Sequence, residues 1–167
     1  MKQPIIYVDM DGVLVDLFNH IGFIHETHYT DLTREQMDKF FRESDAFELF
    51  KNAPAFAHAN ELLGMIKGLF GGYKILSSPL GTDKINSVRG KKVWLEENIT
   101  VPADEWIFEH DKYKYALQDD GTPNVLIDDF KLNIQRWDQA GGLAIKWQGD
   151  EDTINELRNQ LLLLAME

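Results

Sequence analysis

The sequence predicts an α/β protein: a Rossmann-like, three-layer parallel sheet with a small helical insertion. Three observations carry this reading. Short apolar runs recur along the chain, stretches with helical spacing of apolar residues lie between them, and one early segment breaks the alternation. At 167 residues and 44% hydrophobic content, the chain fits one domain with its own core and a modest insertion.

Residues 4–8 form the first run, nearly all apolar and ending at an acidic, glycine-containing turn, the pattern of a strand buried on both faces. Comparable runs follow at 73–76, 106–108, 125–127 and 143–147, the last after Gly141-Gly142. Helical patterns occupy 57–69, 84–98 and 132–140, and Ile154, Leu157, Leu161 and Leu164 mark a closing amphipathic helix over 153–165. Between about residues 15 and 52 the rhythm turns wholly helical, with a helix over 16–25 and another opening at the capping-box pattern Thr33-Arg34-Glu35-Gln36. The expected organisation is a core of residues 1–14 and 53–167 carrying a helical cap of residues 15–52.

Composition narrows the function classes. A formal net charge of −11 argues against a surface that coats nucleic acid or binds anionic membrane, since both partners need clustered Lys and Arg. A compact phosphate ligand remains compatible, because a bound cation and one or two lysines can neutralise it locally. Without cysteine there is no disulfide framework, thiolate metal site or thiol nucleophile. No signal-peptide core or membrane-length apolar stretch is present, so the expectation is a soluble, cytoplasmic protein. The five histidines (His20, His25, His28, His58 and His110) do not fit a zinc spacing; His25 and His28 are weak candidates for a substrate mouth.

Polar residues suited to chemistry stand at four strand ends: Asp9 and Asp11, Ser77 and Ser78, His110 to Lys112, and Asp128 and Asp129. In parallel sheets ligands bind beyond the carboxyl ends of the strands. A carboxylate is costly at the end of a buried strand unless its charge is used, which makes Asp9 a candidate nucleophile. Gly12 permits a sharp turn that brings Asp11 toward a leaving oxygen as general acid and then base. Asp128 and Asp129 add hard oxygen ligands suited to Mg²⁺, Ser77 can donate to a phosphoryl oxygen with Ser78 beside it, and a lysine would neutralise developing charge. Taken alone, an Asp-x-Asp or a Ser-Ser-Pro is most often an ordinary turn; their joint placement at successive strand ends favours the functional reading.

Asp9-Met10-Asp11-Gly12-Val13-Leu14, Ile75-Leu76-Ser77-Ser78-Pro79, a lysine, and Leu126-Ile127-Asp128-Asp129 resemble, in order, the four motifs of the haloacid dehalogenase superfamily. Val13-Leu14-Val15-Asp16, the Ser-Ser-Pro and Lys91-Lys92-Val93-Trp94-Leu95-Glu96 further resemble the 5′(3′)-deoxyribonucleotidase family, over residues 5 to 147. The resemblance implies a Mg²⁺-dependent phosphomonoester hydrolase. Asp9 would be nucleophile and metal ligand, and Asp11 acid/base with its backbone carbonyl on the metal. Asp129 would ligate directly and Asp128 partly through water. Ser77 and Ser78 would bind phosphate with Lys112, the preferred third-motif lysine; Lys91 and Lys114 are the other candidates. Phe18, Phe40 and Phe41 are the expected base pocket, although most aromatics of the insertion are needed as core. The expected partner is a small phosphomonoester, a nucleoside monophosphate first, and a homodimer is left open. A sugar phosphate, a polynucleotide end, or a catalytically idle binding protein of the same fold are the rival readings.

Overall fold

The computed structural model describes residues 2–166; the outermost bounds expected for the core, Met1 and Glu167, lie outside them. Five strands form one parallel sheet in the order β3-β2-β1-β4-β5: β1 (Ile6–Val8), β2 (Lys74–Ser77), β3 (Glu105–Phe108), β4 (Val125–Asp128) and β5 (Leu143–Lys146). Each expected strand is present, with ends displaced by one or two residues.

Alternation along the strands divides the core between the two faces of the sheet. Ile6, Val8, Ile75, Val125, Ile127 and Ile145 point to one side and pack with the helices α4 (Ala59–Phe70), α5 (Lys84–Asn98) and α7 (Ile154–Ala165). Tyr7, Leu76 and Leu126 point to the other and meet Trp137 of α6 (Lys131–Gln139) and Ala116. That division accounts for the near-absence of polar residues in β1 and β4, which are covered on both faces. The edge strand β3 exposes Glu105 and Trp106.

The order of the strands sets the position of the site. From β1 the chain builds outward through β2 to β3, then crosses to the far side of β1 for β4 and β5. The direction reverses between β1 and β4, where the carboxyl ends of such strands leave a crevice. Asp9 follows β1, and Asp128 ends β4.

The segment between β1 and α4 forms α1 (Leu17–Ile24), a 3-10 turn at Tyr29–Asp31, α2 (Arg34–Glu43) and α3 (Ala46–Asn52). Thr33 and Gln36 make both reciprocal capping hydrogen bonds of α2, as the sequence implied. The outgoing and returning chains meet in an antiparallel bridge between Val15 and Ala55. No helix among the described residues is long and apolar enough to cross a membrane.

Candidate active site

Residues 9 to 15 leave β1 in a tight coil. The backbone N–H groups of Val13, Leu14 and Val15 all donate to the Met10 carbonyl, and Gly12 adopts φ +84°. A Cβ at Gly12 would stand 2.0 Å from Asp129 Oδ2. Glycine therefore serves twice here, by accepting the left-handed backbone and by leaving room for a carboxylate. The loop after β5 closes over this turn, with Gly149 N–H donating to the Gly12 carbonyl and Trp147 N–H to that of Asp128.

Asp9, Ser77 and Asp128 are 6%, 0% and 0% exposed, and the two lysines among them, Lys91 and Lys112, are 1% and 3% exposed. Charges so buried persist only with partners. Lys112, in the 3-10 turn Lys112–Tyr115 after β3, donates to Asp9 Oδ1 at 2.7 Å and to Asp128 Oδ2 at 2.7 Å. Lys91, on α5, donates to Asp11 Oδ2 (2.8 Å), Ser77 Oγ (2.8 Å) and the Ser78 carbonyl (2.7 Å). The lysines thus divide the site: Lys112 lies between Asp9 and Asp128, and Lys91 bridges Asp11 to the serine strand end. Lys114 is exposed and pairs with Glu109 and Asp111, apart from these carboxylates.

Asp128 also accepts from Phe130 N–H (2.8 Å) and Asn133 Nδ2 (3.1 Å). Sequence reading missed Asn133, whose position in the first turn of α6 carries no signal until the helix is docked. Among the described residues, Asp11 Oδ1 is the buried side-chain oxygen without a hydrogen-bond partner.

Carboxylate oxygens of Asp9, Asp128 and Asp129 lie within 4.8 Å of one another. Burial first, and then the neighbouring Asp128 carboxylate, push Asp9 up to about 7. Burial, followed by Asp9 and Asp128, raises Asp129 to about 9. For Lys112 burial favours the neutral amine, but Asp9 and Asp128 outweigh it and raise the group above its ordinary range. When all are ionised, as metal binding requires, the four carboxylates (Asp9, Asp11, Asp128 and Asp129) face two ammonium groups, a deficit of two positive charges. Hard oxygen donors with that deficit fit one divalent cation of the Mg²⁺ or Ca²⁺ type.

The aromatic candidates separate in space. Phe18 is half-buried against Tyr29, with ring centroids 5.8 Å apart. Tyr29 accepts from Gln148 Nε2 at 3.2 Å, and its phenol is raised by burial, then by Asp150, with Asp129 contributing. Phe18 is thus joined through Tyr29 to Gln148, in the loop after β5 that closes over the Gly12 turn. Phe40 packs against His25 and Phe41 and lines a groove of about 490 Å³ with His25, Gln36, Lys39, Glu43 and Ser44, none of which belongs to the cluster. His28 caps the 3-10 turn by accepting from Thr30 N–H.

No protein-family model matches the sequence, and no curated protein matches it. Among solved structures, a HAD-superfamily hydrolase from Ehrlichia chaffeensis superposes with a TM-score of 0.55 at 19% identity, covering 98% of each chain. The fold is that of the haloacid dehalogenase-like hydrolases. A hydrolase from Streptococcus pneumoniae TIGR4 is similar over 96% of this chain and 99% of its own (TM-score 0.54, 16% identity). So is a HAD family enzyme from Bacteroides thetaiotaomicron, solved with magnesium and inorganic phosphate, over 93% of this chain and 99% of its own (TM-score 0.53, 16% identity). At these identities the likeness is one of fold. The haloacid dehalogenase-like core and the residues this chain places at its strand ends are independent observations.

Proposed function

We propose that this chain is a Mg²⁺-dependent phosphomonoester hydrolase that works through an aspartyl-phosphate on Asp9. One observation carries the reading: Asp9 and Asp11 are held by different buried lysines, and only the lysine on Asp11 also reaches the serine at the end of β2. Attack and proton transfer are thereby given to separate carboxylates in separate surroundings.

Lys112 engages Asp9 Oδ1 and leaves Oδ2 to attack phosphorus. A P–O bond to Asp9 forms as the P–O bond to the alcohol breaks, and Asp11 in its acid form protonates the departing oxygen. Asp11, now a carboxylate, takes a proton from water; the water oxygen attacks phosphorus, and phosphate leaves with Asp9 restored. Asp11 Oδ1 is the atom free to serve in both halves. Ser77 and Ser78 with Lys91 form the phosphate side, and Lys112 keeps the nucleophile and Asp128 in register. Asp9, Asp128 and Asp129 would hold the metal, with the Asp11 backbone carbonyl added by the family resemblance. A Mg²⁺ ion held there would supply neutralisation of carboxylate and phosphoryl charge in the same place. The magnesium and phosphate of the Bacteroides structure support this choice of ion and ligand.

Residues 15–52 are read as a cap that supplies the leaving-group pocket, with Phe18 the aromatic best placed to meet a base. Phe40 lines a separate groove, with Phe41 packed against its ring. The resemblance of the segment starting at Lys91 supports a nucleoside monophosphate as substrate, and Trp94 of that segment is fully buried and donates to the Ala53 carbonyl, just past the residues read as the cap. The decisive experiment is phosphate release from a panel of nucleotides and sugar phosphates, with and without Mg²⁺, for wild type and Asp9→Asn. Release is expected only with metal and only in wild type, with nucleoside monophosphates preferred. Full activity in Asp9→Asn would overturn the mechanism, while a panel led by sugar phosphates would overturn the nucleotidase assignment alone.

A further inference from the structure

Lys91 has three N–H bonds, and all three have acceptors, in Asp11, Ser77 and Ser78. Its fourth neighbour is a ring. The Nζ lies 4.7 Å from the centroid of Phe50, a buried residue of α3 in the insertion. The approach of α3 that makes this contact depends on the residue next to Lys91. A Cβ at Gly90 would meet the Phe47 carbonyl oxygen at 2.5 Å, Phe50 Cβ at 3.2 Å and Lys51 N at 3.3 Å, so α5 can accept α3 at this distance only with glycine there. The neighbouring Phe47 makes the same kind of contact on the outside of the interface, with Arg89 Cζ 5.1 Å and Lys51 Nζ 5.5 Å from its ring.

We propose that Phe50 is a positioning residue of the site. Its ring face attracts the Lys91 ammonium and holds it where it meets Asp11 and Ser77 together, so the insertion as well as the core determines how the proton-transfer carboxylate sits relative to the phosphate hydroxyl. In a site closed to water the attraction between a cation and an aromatic face is at its strongest, and it depends on the electron density of the ring rather than on its volume. The catalytic part of this inference rests on the phosphohydrolase reading; the contact itself does not.

Phe50 also belongs to the main core, so substitution by leucine mixes lost packing with lost attraction. Replacing Phe50 with phenylalanines carrying one, two and three ring fluorines keeps the volume and withdraws the ring electrons stepwise. Two readings are taken: the thermal midpoint in the Lys91 and Lys91→Met backgrounds, and kcat/KM for phosphate release with Mg²⁺. The expected result is a stepwise fall of the midpoint with Lys91 present and a flat series in Lys91→Met. kcat/KM should fall in the same order, by about tenfold across the series. Parallel midpoint series in the two backgrounds would overturn the proposal and leave Phe50 a packing residue. Should wild type release phosphate from no phosphomonoester, the proposed function fails by its own test, while the midpoint comparison still decides whether Phe50 holds Lys91.

Discussion

Lys112 and Asp9 stand 103 positions apart in the chain, yet the lysine Nζ is 2.7 Å from Asp9 Oδ1, inside a site where both are buried. The same Nζ reaches Asp128, so one ammonium spans the ends of the two strands between which the sheet changes direction. Removing it would leave the buried carboxylates to repel one another. Lys112→Met is therefore expected to cost about 3–5 kcal/mol of folding free energy, the range for breaking one side of a buried ion pair. Urea unfolding of the metal-free protein at neutral pH measures this, and a cost below 1 kcal/mol would be inconsistent with the pair being structural.

Stability should depend on pH in a direction opposite to that of ordinary surface carboxylates. Asp9 is pushed up to about 7 and Asp129 to about 9, whereas both titrate at roughly 4 once unfolded. Between those values the folded state holds protons that the unfolded state has released, so stability falls as pH rises. With a chelator present, the thermal midpoint should decline from about pH 4 through about pH 9 from these groups. Mg²⁺ should restore more at pH 8.5 than at pH 5.5, because the cation competes with those protons. A midpoint that climbs with pH in chelator would contradict the assignment.

Separate duties for Asp9 and Asp11 give distinguishable variants. Asp11→Asn is expected to lower kcat on an alkyl phosphomonoester by about 10²- to 10⁴-fold, the usual scale for a general acid–base. With p-nitrophenyl phosphate, whose leaving group needs no proton, the first half-reaction should survive. The expected trace is a burst of nitrophenol stoichiometric with enzyme, followed by slow turnover. Equal losses on both substrates without a burst would argue against Asp11 as the acid.

Gly12 is the backbone position least tolerant of change. Alanine there meets both a positive φ and the Asp129 carboxylate at 2.0 Å. The backbone term alone costs about 1–3 kcal/mol. Displacing Asp129 should also raise the Mg²⁺ concentration needed for half-maximal activity. Titration of activity with Mg²⁺ separates the two effects: a stability loss with unchanged metal dependence would remove Asp129 from the ligand set.

Much of this architecture was legible in the chain because its signals are local. The runs ending at Val8, Leu76 and Ile127 are apolar because β1, β2 and β4 are covered on both faces, and the Thr33 capping pattern sits at the start of α2. Strand ends were less legible: β3 begins at Glu105, since an edge strand tolerates an exposed charge. The roles of the lysines were not local at all. Lys112, the preferred phosphate lysine, pairs with Asp9 and Asp128, and Lys91, the secondary candidate, meets Asp11 and Ser77; neither set of partners can be read from the sequence. Phe40 and Phe41 lie in the aromatic-rich insertion as expected, but only folding showed that Phe40 faces a groove apart from the acidic residues.

By itself, then, the sequence determined the alternation of strand and helix, the wholly helical stretch that follows β1, and which carboxylates and serines stand at strand ends. Those follow from hydrophobic period and from the cost of burying an unused charge, and both are written residue by residue. Tertiary structure alone decided which ammonium neutralises which carboxylate, that Asn133 supports Asp128, and that Phe50 of the insertion touches Lys91 of the core. The reason is physical. Electrostatic partners are selected by distance in a medium of low dielectric, and distances between residues a hundred positions apart exist only after the sheet has ordered its strands and the helices have docked.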